Sequence, residues 1–402
     1  MVTRRRKLRT DGSLWQHLRA PRVPYRELLR DQRADVLIVG GGITGAMIAE
    51  MLAEAGLDVV VADRRTPTRG STIASTALVQ YEIDTPLVEL KRKIGTADAV
   101  RAWRRSRLAV SSLGAFLRER GLAAQTRNAL YLAGNRLGPL ALRREAELRQ
   151  AAGLETQFLD RAALRDRFGI RRDAALLGFD NLTINPREIA ARLLIRAAEA
   201  GGRLFAPVDI VDIRRTRPSV VATTRDGKKV RCRHLVLASG YEFPKIVPTR
   251  GHHITTTWAF ATAPQRRRLW PEECLIWEAS TPYLYARTTP DGRVLCGGED
   301  GSGSVADHGE AQLARKIARL QRKLGKLFPD LDTDAAFSWA ASFGETATGL
   351  PTIGEIPGQR NCWVALGYGG NGITYSRIAA EIIRTALTGG ADPDADLYAF
   401  KT

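Results

Sequence analysis

Cysteine is scarce and scattered. Cys232, Cys274, Cys296 and Cys362 lie far apart and form no C-x-x-C pair. That argues against a disulfide framework or a zinc site and suits a reducing, cytoplasmic setting. Long apolar runs are missing too, because glycines and charges interrupt each candidate before it reaches membrane-spanning length. The basic stretch Arg4-Arg5-Arg6-Lys7 is followed by no apolar segment, so it does not read as a secretory signal. Lysine is rare, 10 residues against 51 arginines, in a chain of net charge +18. Such a surplus would suit nucleic acid, an anionic membrane or an acidic substrate. No segment interleaves basic residues with aromatics as nucleic-acid platforms do, so we read the arginines as solvated helix faces. The chain's 402 residues, 44% of them hydrophobic, suffice for two domains and a large core.

The stretch that organises the rest is ADVLIVGGGITGAMIAEMLAEAGLDVVVAD, residues 34–63. A short apolar strand, 35–39, runs into Gly40, Gly42 and Gly45 with the spacing G-x-G-x-x-G. A helix over 43–55 and a second apolar run, 57–62, follow, and Asp63 ends the unit. The first glycine permits a tight turn, the second lets backbone approach a pyrophosphate, and the third lets the helix pack close to the strand. The helix directs its N-terminal amides at phosphate, and an acid about 20 residues on accepts ribose hydroxyls. Asp63 stands at that distance. Strand, glycines, helix, strand and acid in this order predict a bound dinucleotide.

Around this unit the chain is punctuated by glycine and proline. Residues 1–33 form a basic arm with Trp15 and Tyr25 as anchors, expected to drape over the body with partial mobility. The run from Gly70 to Leu78 is dense in small and hydroxylated residues and suits backbone lying against a flat ligand. Helices are expected over 86–121 (broken near Gly95-Thr96), 140–152, 161–168 and 187–200, and a strand over 129–133. Pro186 sits in the first turn of the last helix, and Gly201-Gly202 follows it. Asp226-Gly227 marks a hairpin, and strand 234–238 ends on Ser239-Gly240. Strands at 253–262, 282–288 and 293–297, with a helix over 310–328, predict a second, mainly antiparallel domain. Strand 361–366, the turn GYGGNG from Gly367 and a helix over 373–387 repeat the strand–glycine–helix pattern near the far end. The fold class expected is therefore α/β with two domains, a Rossmann-like dinucleotide-binding domain and a mixed antiparallel-sheet domain.

These pieces in this order resemble the D-amino-acid oxidase and glycine oxidase family of FAD-dependent oxidoreductases, from about Asp35 to Leu387. VLIVGGGITGA, VVVADRR, GSTIASTALVQYEIDTP, HLVLASGYE and GLPTIGEIPG…WVALGYGGNGIT carry the likeness. The arm with SLWQ from Ser13 is similar to that of members that oxidise putrescine derivatives. The resemblance implies an FAD-binding domain from 34–85, 150–248 and 343–390, and a substrate domain from 86–149 and 249–342. It implies that Gly40, Gly42, Ile43, Thr44, Gly45 and Asp63 hold the ADP half of FAD. Arg64, Ser71, Thr72, Ala74, Ser75, Thr76 and Ala77 would line the pyrophosphate and the flavin edge. Val208 would meet the adenine through its backbone, and Ala238, Ser239 and Gly240 would approach the dinucleotide. Gly369, Gly370, Asn371, Gly372, Ile373 and Thr374 would face the pyrimidine side of the flavin, where amides at a helix start stabilise the charge of the reduced ring.

Some members attach flavin to cysteine or histidine, but FGETAT (343–348) offers neither, so noncovalent FAD is expected. The resemblance points to Tyr285 and Arg287 as the tyrosine and arginine that grip a substrate carboxylate, and Arg287 reads equally as a surface strand arginine. Gln80 and Tyr81 would reach the flavin face, with core packing the alternative for Tyr81. Of His252-His253 only one side chain can enter a pocket, and no further ligand supports a metal. The implied activity is oxidation of an amine or amino acid. The substrate loses hydride to flavin and becomes an imine, and oxygen or another acceptor restores the cofactor. Two alternatives stay open: an RNA-linked or other anionic amine substrate, or a flavoprotein without turnover serving as an interaction subunit.

Overall fold

The computed structural model describes residues 6–216, 218–243, 245–248 and 251–400. Residues 1–5, 217, 244, 249, 250, 401 and 402 lie outside the described residues, and with them Arg4 and Arg5 of the basic arm.

Strand Gln32–Val39 is flanked in parallel by Val59–Ala62 on one side and Lys229–Leu237 on the other. Arg203–Phe205 and Gln359–Leu366 extend this parallel core at its two edges. Thr352–Ile356 and the pair Ile210–Thr216/Ser219–Thr224 complete an eight-stranded sheet. The central strand is apolar because both faces are covered; Val36, Leu37 and Ile38 are all buried. Helices Ile43–Glu54, Pro186–Glu199, Gly372–Leu387 and Thr96–Glu119 pack over one face in a common core with Ile48, Leu193, Ile378 and Trp103. Thr44 through Ala53 are buried, so the nucleotide-side helix is apolar nearly all round, as a helix enclosed by others must be. Its buried Glu50 is offset by Arg120 and Arg196. Pro186–Glu199 starts where expected, with the Asn185 side chain accepting the Glu188 amide at 3.2 Å.

A nine-stranded sheet forms the second layer, in the order Ala335–Thr346, His252–Thr262, Val294–Ser302, Leu284–Thr288, Leu275–Glu278, Ala124–Leu132, Ala174–Ile184 and Leu78–Val79, with Thr156–Asp160 beside Ala174–Ile184. Helix Glu310–Leu327 covers its outer face. Ile317, Leu320, Leu324 and Leu327 meet Trp258, Phe260, Ile276 and Leu284, each such side chain contributing roughly 1.5–3 kcal/mol of burial. The inner face looks toward the first sheet.

The sheets depart from the sequence-based boundaries. Thr156–Asp160 and Ala174–Ile184 were expected with the nucleotide-binding segments, yet they pair with Ala124–Leu132 in the second sheet. Conversely, Thr96–Glu119 shares the core of the first sheet's helices, because its apolar stripe (Ala102, Trp103, Leu113, Leu117) is buried there. The arm packs on the body through one of its two expected anchors: Leu14 and Trp15 are buried beside Ile73, Ala74 and Trp339, whereas Tyr25 is 41% exposed. Thr10 also bonds main chain to main chain with Ala340 at 2.9 Å.

Candidate functional site

A cleft runs between the two sheets. One end is built from the glycine turn. Gly40, at φ +118°, cannot carry a side chain, since a Cβ would stand 2.3 Å from the Ala238 carbonyl. Gly45 packs its helix onto the turn so closely that a Cβ would lie 1.9 Å from the Gly40 carbonyl oxygen. Gly40, Gly42, Ile43 and Thr44 line the cleft, whereas Gly45 sits behind them. Asp63 faces the same end and accepts the Gly41 amide at 2.6 Å and the Arg65 amide at 2.7 Å. Burial raises its pKa, partly offset by those two amides. Arg64 and Arg65 line this end too. Arg65 pairs with Glu242 at 2.8 Å, and Arg64 lies 3.9 Å from Asp209 and 3.7 Å from Glu242. Val208, Ala238, Ser239 and Gly240 complete the wall. The Val208 amide donates to the Asp63 carbonyl at 2.7 Å.

The helix tips from the two ends of the chain meet at mid-cleft, where the hydroxyls of Thr44 and Ser376 are hydrogen-bonded at 2.8 Å. Gly369, Gly370, Asn371, Gly372 and Ile373 line the cleft beside them. Thr374 does not. Its hydroxyl donates to the Gln80 carbonyl at 2.7 Å, and the Asn371 amide group donates to the carbonyls of Gln80 and Glu82 at 3.2 and 2.9 Å. These bonds fix the Gln80 backbone while its side chain faces the cleft. Tyr81 turns into the core, its hydroxyl on the Glu155 carbonyl.

The hydroxyl-rich run is held by a clamp with no sequence signature. Three successive carbonyls each accept a side-chain N–H from a different element. Ala74 takes Trp339 Nε1 at 2.8 Å, Ser75 takes Trp15 Nε1 at 2.6 Å, and Thr76 takes Arg287 Nε at 2.6 Å. Ser71, Thr72, Ala74, Ser75, Thr76 and Ala77 thereby line the cleft in fixed register. Arg287 needs correcting. It shares a strand face with Tyr285, which lines the cleft, but its guanidinium is only 1% exposed and also donates to the Ile184 carbonyl at 3.0 Å. Burial, with a smaller contribution from Arg127, lowers its pKa to about 9. It supports the wall and is not presented to a substrate.

Sequence reasoning passed over the residues at the far end: Asp84, Tyr241, Trp277 and Tyr283 line it. Asp84 accepts the Gly370 amide at 2.7 Å. Its pKa rises to about 6, chiefly through burial and further through Glu345. Asp300, beside Thr257 and Tyr283, is raised to about 6 by burial, with Glu345 and Asp84 adding to the effect. Asp84 stood in the GSTIASTALVQYEIDTP stretch and Glu345 in FGETAT, but only the sheet pairing brings them together.

FAD fits this cleft on its own polar atoms. Arg64 Nη1, Ser71 Oγ, Gln80 Nε2 and Asn371 Oδ1 are buried along its length without a partner in the protein. They are placed to meet a phosphate at one end and a heteroaromatic edge at the other.

Comparison with known proteins agrees with this geometry. A family described as FAD dependent oxidoreductase (DAO) matches residues 35–385. The chain is 26% identical to gamma-glutamylputrescine oxidoreductase of Escherichia coli (strain K12), over 92% of this chain and 87% of that protein. It is 24% identical to glycine oxidase of Geobacillus kaustophilus (strain HTA426), over 87% of this chain and 92% of that protein. The crystal structure of glycine oxidase from Geobacillus kaustophilus superposes with TM-score 0.76 at 22% identity, covering 92% of this chain and 99% of that one. L-Proline dehydrogenase from P. horikoshii gives TM-score 0.76 at 17% identity, covering 92% of this chain and 97% of the other. The protein belongs to the DAO family of FAD-dependent oxidoreductases.

Proposed function

We propose that the protein oxidises the C–N bond of a small amine. The observation carrying this reading is the cleft between the two sheets, with a dinucleotide cradle at one end and Gln80, Asp84, Tyr283 and Tyr285 at the other. Bound FAD supplies a two-electron acceptor for the hydride leaving the amine's α carbon. The nitrogen, already neutral, becomes an imine that water hydrolyses to a carbonyl compound, and oxygen or another acceptor takes up the electrons. The chain's own work is to position the amine, exclude water and stabilise charge through the amides of 371–373 at the helix start. An amine is favoured over an α-amino acid by electrostatics. The only cations lining the described cleft are Arg64 and Arg65, both at the nucleotide end and facing Glu242. A substrate carboxylate at the far end would meet Asp84 instead.

The cofactor-contact residues, Val208 against adenine among them, keep the roles given above as part of this proposal. The first sheet with its helices acts as the cofactor-binding part and the inner face of the second sheet as the substrate wall. FAD is held noncovalently: no cysteine or histidine is among the described residues lining the cleft. The four cysteines are free and buried, which supports a reducing, cytoplasmic setting. No described helix is long and apolar enough to cross a membrane.

Two measurements test the proposal. Acid precipitation of the yellow protein should release all flavin into the supernatant, and flavin left on the pellet would overturn noncovalent attachment. Anaerobic addition of primary and secondary amines should bleach the flavin band. A flavin-loaded protein that no amine or amino acid bleaches would sink the oxidation reading and leave an interaction subunit as the alternative.

A further inference from the structure

Asp84 is built into the cleft by two glycines. Its Oδ2 accepts the Gly370 amide at 2.7 Å, and a Cβ on Gly369 or Gly370 would stand 2.9 Å from one of its carboxylate oxygens, so only a bare turn admits it. Its main chain is pinned as well. The Asp84 carbonyl accepts Arg136 Nη1 at 3.3 Å, and Thr85 donates its hydroxyl to the Thr348 carbonyl at 3.1 Å. Oδ1 accepts no bond from the described residues, and Asp84 lines the cleft.

The chemistry asks for such a group. A simple amine is an ammonium at neutral pH, with a pKa of about 10, and it gives up hydride only after losing a proton. No histidine or lysine is among the described residues lining the cleft, and the other carboxylates there, Asp63, Asp209 and Glu242, stand at the nucleotide end. Burial pushes the pKa of Tyr241, Tyr283, Tyr285 and Tyr368 upward and so keeps them as phenols. Asp84 is the group that remains. Burial raises its pKa to about 6 and Glu345 adds to this, while the Gly370 amide and Arg136 oppose it. Arg136 is itself paired with Glu89 at 2.5 Å. Asp300 and the phenols of Tyr241, Tyr283 and Tyr375 complete the charged and titratable groups around it. Asp84 is thus ionised at neutral pH, with a greater affinity for a proton than an exposed aspartate has.

We propose that Asp84 is the proton acceptor of the reaction. The bound ammonium passes a proton from nitrogen to Oδ1, so that an N–H bond breaks and an O–H bond forms. The nitrogen lone pair then closes the C=N bond as the α C–H pair leaves as hydride to the flavin, and water hydrolyses the iminium. The proton also cancels the charge of Asp84 beside the helix start whose amides stabilise the reduced ring, so reduction and proton uptake favour each other. This rests on the amine-oxidation reading above and adds the residue that makes the nitrogen neutral.

The test follows n-butylamine reducing the flavin-loaded protein without oxygen, by stopped flow across pH. The second-order rate constant should rise through about pH 6 and then stay level to about pH 10, because carboxylate and ammonium are the working forms between those limits. Asp84→Asn keeps an acceptor for the Gly370 amide but takes no proton. Checked for flavin content and melting temperature, it should react about 10²–10⁴-fold more slowly at neutral pH. Its rate should also climb about tenfold per pH unit up to the pKa of the amine, since only neutral amine then serves. Structural damage alone would lower the profile without tilting it. Glu345→Gln should move the acid limb to lower pH. A steady climb in the unmodified protein, a level stretch in Asp84→Asn, or an acid limb that Glu345→Gln leaves in place overturns the proposal. A second arm needs no amine. The midpoint potential of the photoreduced protein, followed against pH, counts the protons taken up with each electron pair. Just above about pH 6 the count should be two in the unmodified protein and one in Asp84→Asn. If it is so while no amine bleaches the flavin, the coupling of Asp84 to the flavin stands and the amine reading falls. A count of one in both proteins refutes the proposal even where amines are oxidised.

Discussion

Replacing Arg287 by methionine separates two roles for this arginine, and the expected result comes from two opposing effects. The guanidinium is buried and makes two charge-assisted bonds, to Thr76 at 2.6 Å and Ile184 at 3.0 Å. Each is worth about 1.5–3 kcal/mol, so their loss costs roughly 3–6 kcal/mol. Against this, burial lowers the arginine from its ordinary 12.5 to about 9. A base with a depressed folded pKa burdens the native state fully below about pH 9, and the burden lifts between there and 12.5. At neutral pH that burden amounts to about 5 kcal/mol, which methionine removes. The two effects nearly cancel, so the melting temperature should move by only a few degrees. The Thr76 carbonyl nevertheless loses its anchor, and the loop lining the cleft loosens. FAD dissociation should then rise about tenfold, measured by fluorescence on titrating apoprotein. With FAD saturating, KM for the amine should be unchanged. A raised KM with undiminished FAD affinity would restore Arg287 as a substrate ligand and refute this account.

Further consequences are as direct. In Gly45→Ala the new methyl meets the Gly40 carbonyl oxygen at 1.9 Å, so backbone must retreat by about 1 Å at the phosphate turn. The variant should purify without flavin and stay colourless on adding FAD, and a yellow variant of normal affinity would contradict the packing. Trp15→Phe keeps the ring but loses the bond to the Ser75 carbonyl, so FAD affinity should fall roughly twofold to tenfold; equal affinity would show the arm to be incidental. Asp84 and Asp300, raised by burial from 3.8 to about 6, bind more protons folded than unfolded in that window. They make stability fall as pH rises through it. Melting temperatures of Asp300→Asn against the unmodified protein between pH 4 and 7 should show a flatter decline in the variant (about 1–3 kcal/mol over the window). A steeper decline would reverse the sign.

Where glycine and acid punctuate strand and helix, the sequence was legible because those positions admit few alternatives. Gly40 needs its positive φ, Gly45 its bare Cα, and Asp63 a strand end beside them. The strand Ala174–Ile184 was missed because both its faces are buried at most positions, which leaves no period-two alternation to read. Ala335–Thr346 escaped for a related reason, being rich in alanine and serine that carry little apolar contrast. Arg287 shows a different limit. Its strand was legible and its facing was left open, because whether that face opens on the cleft depends on the loop 71–77 and Trp15 closing over it. The acidic end was invisible for the same cause, since Asp84, Asp300 and Glu345 come from three segments joined only by tertiary pairing.

The central claim is that a flavin lies between the two opposed helix tips and takes electrons from an amine held at the acidic end. Anaerobic titration of the flavin-loaded protein with primary and secondary amines tests it most directly. The account predicts loss of the visible flavin absorbance with one two-electron equivalent per bound flavin, and no such loss with glycine. Bleaching by glycine and not by any amine would contradict it.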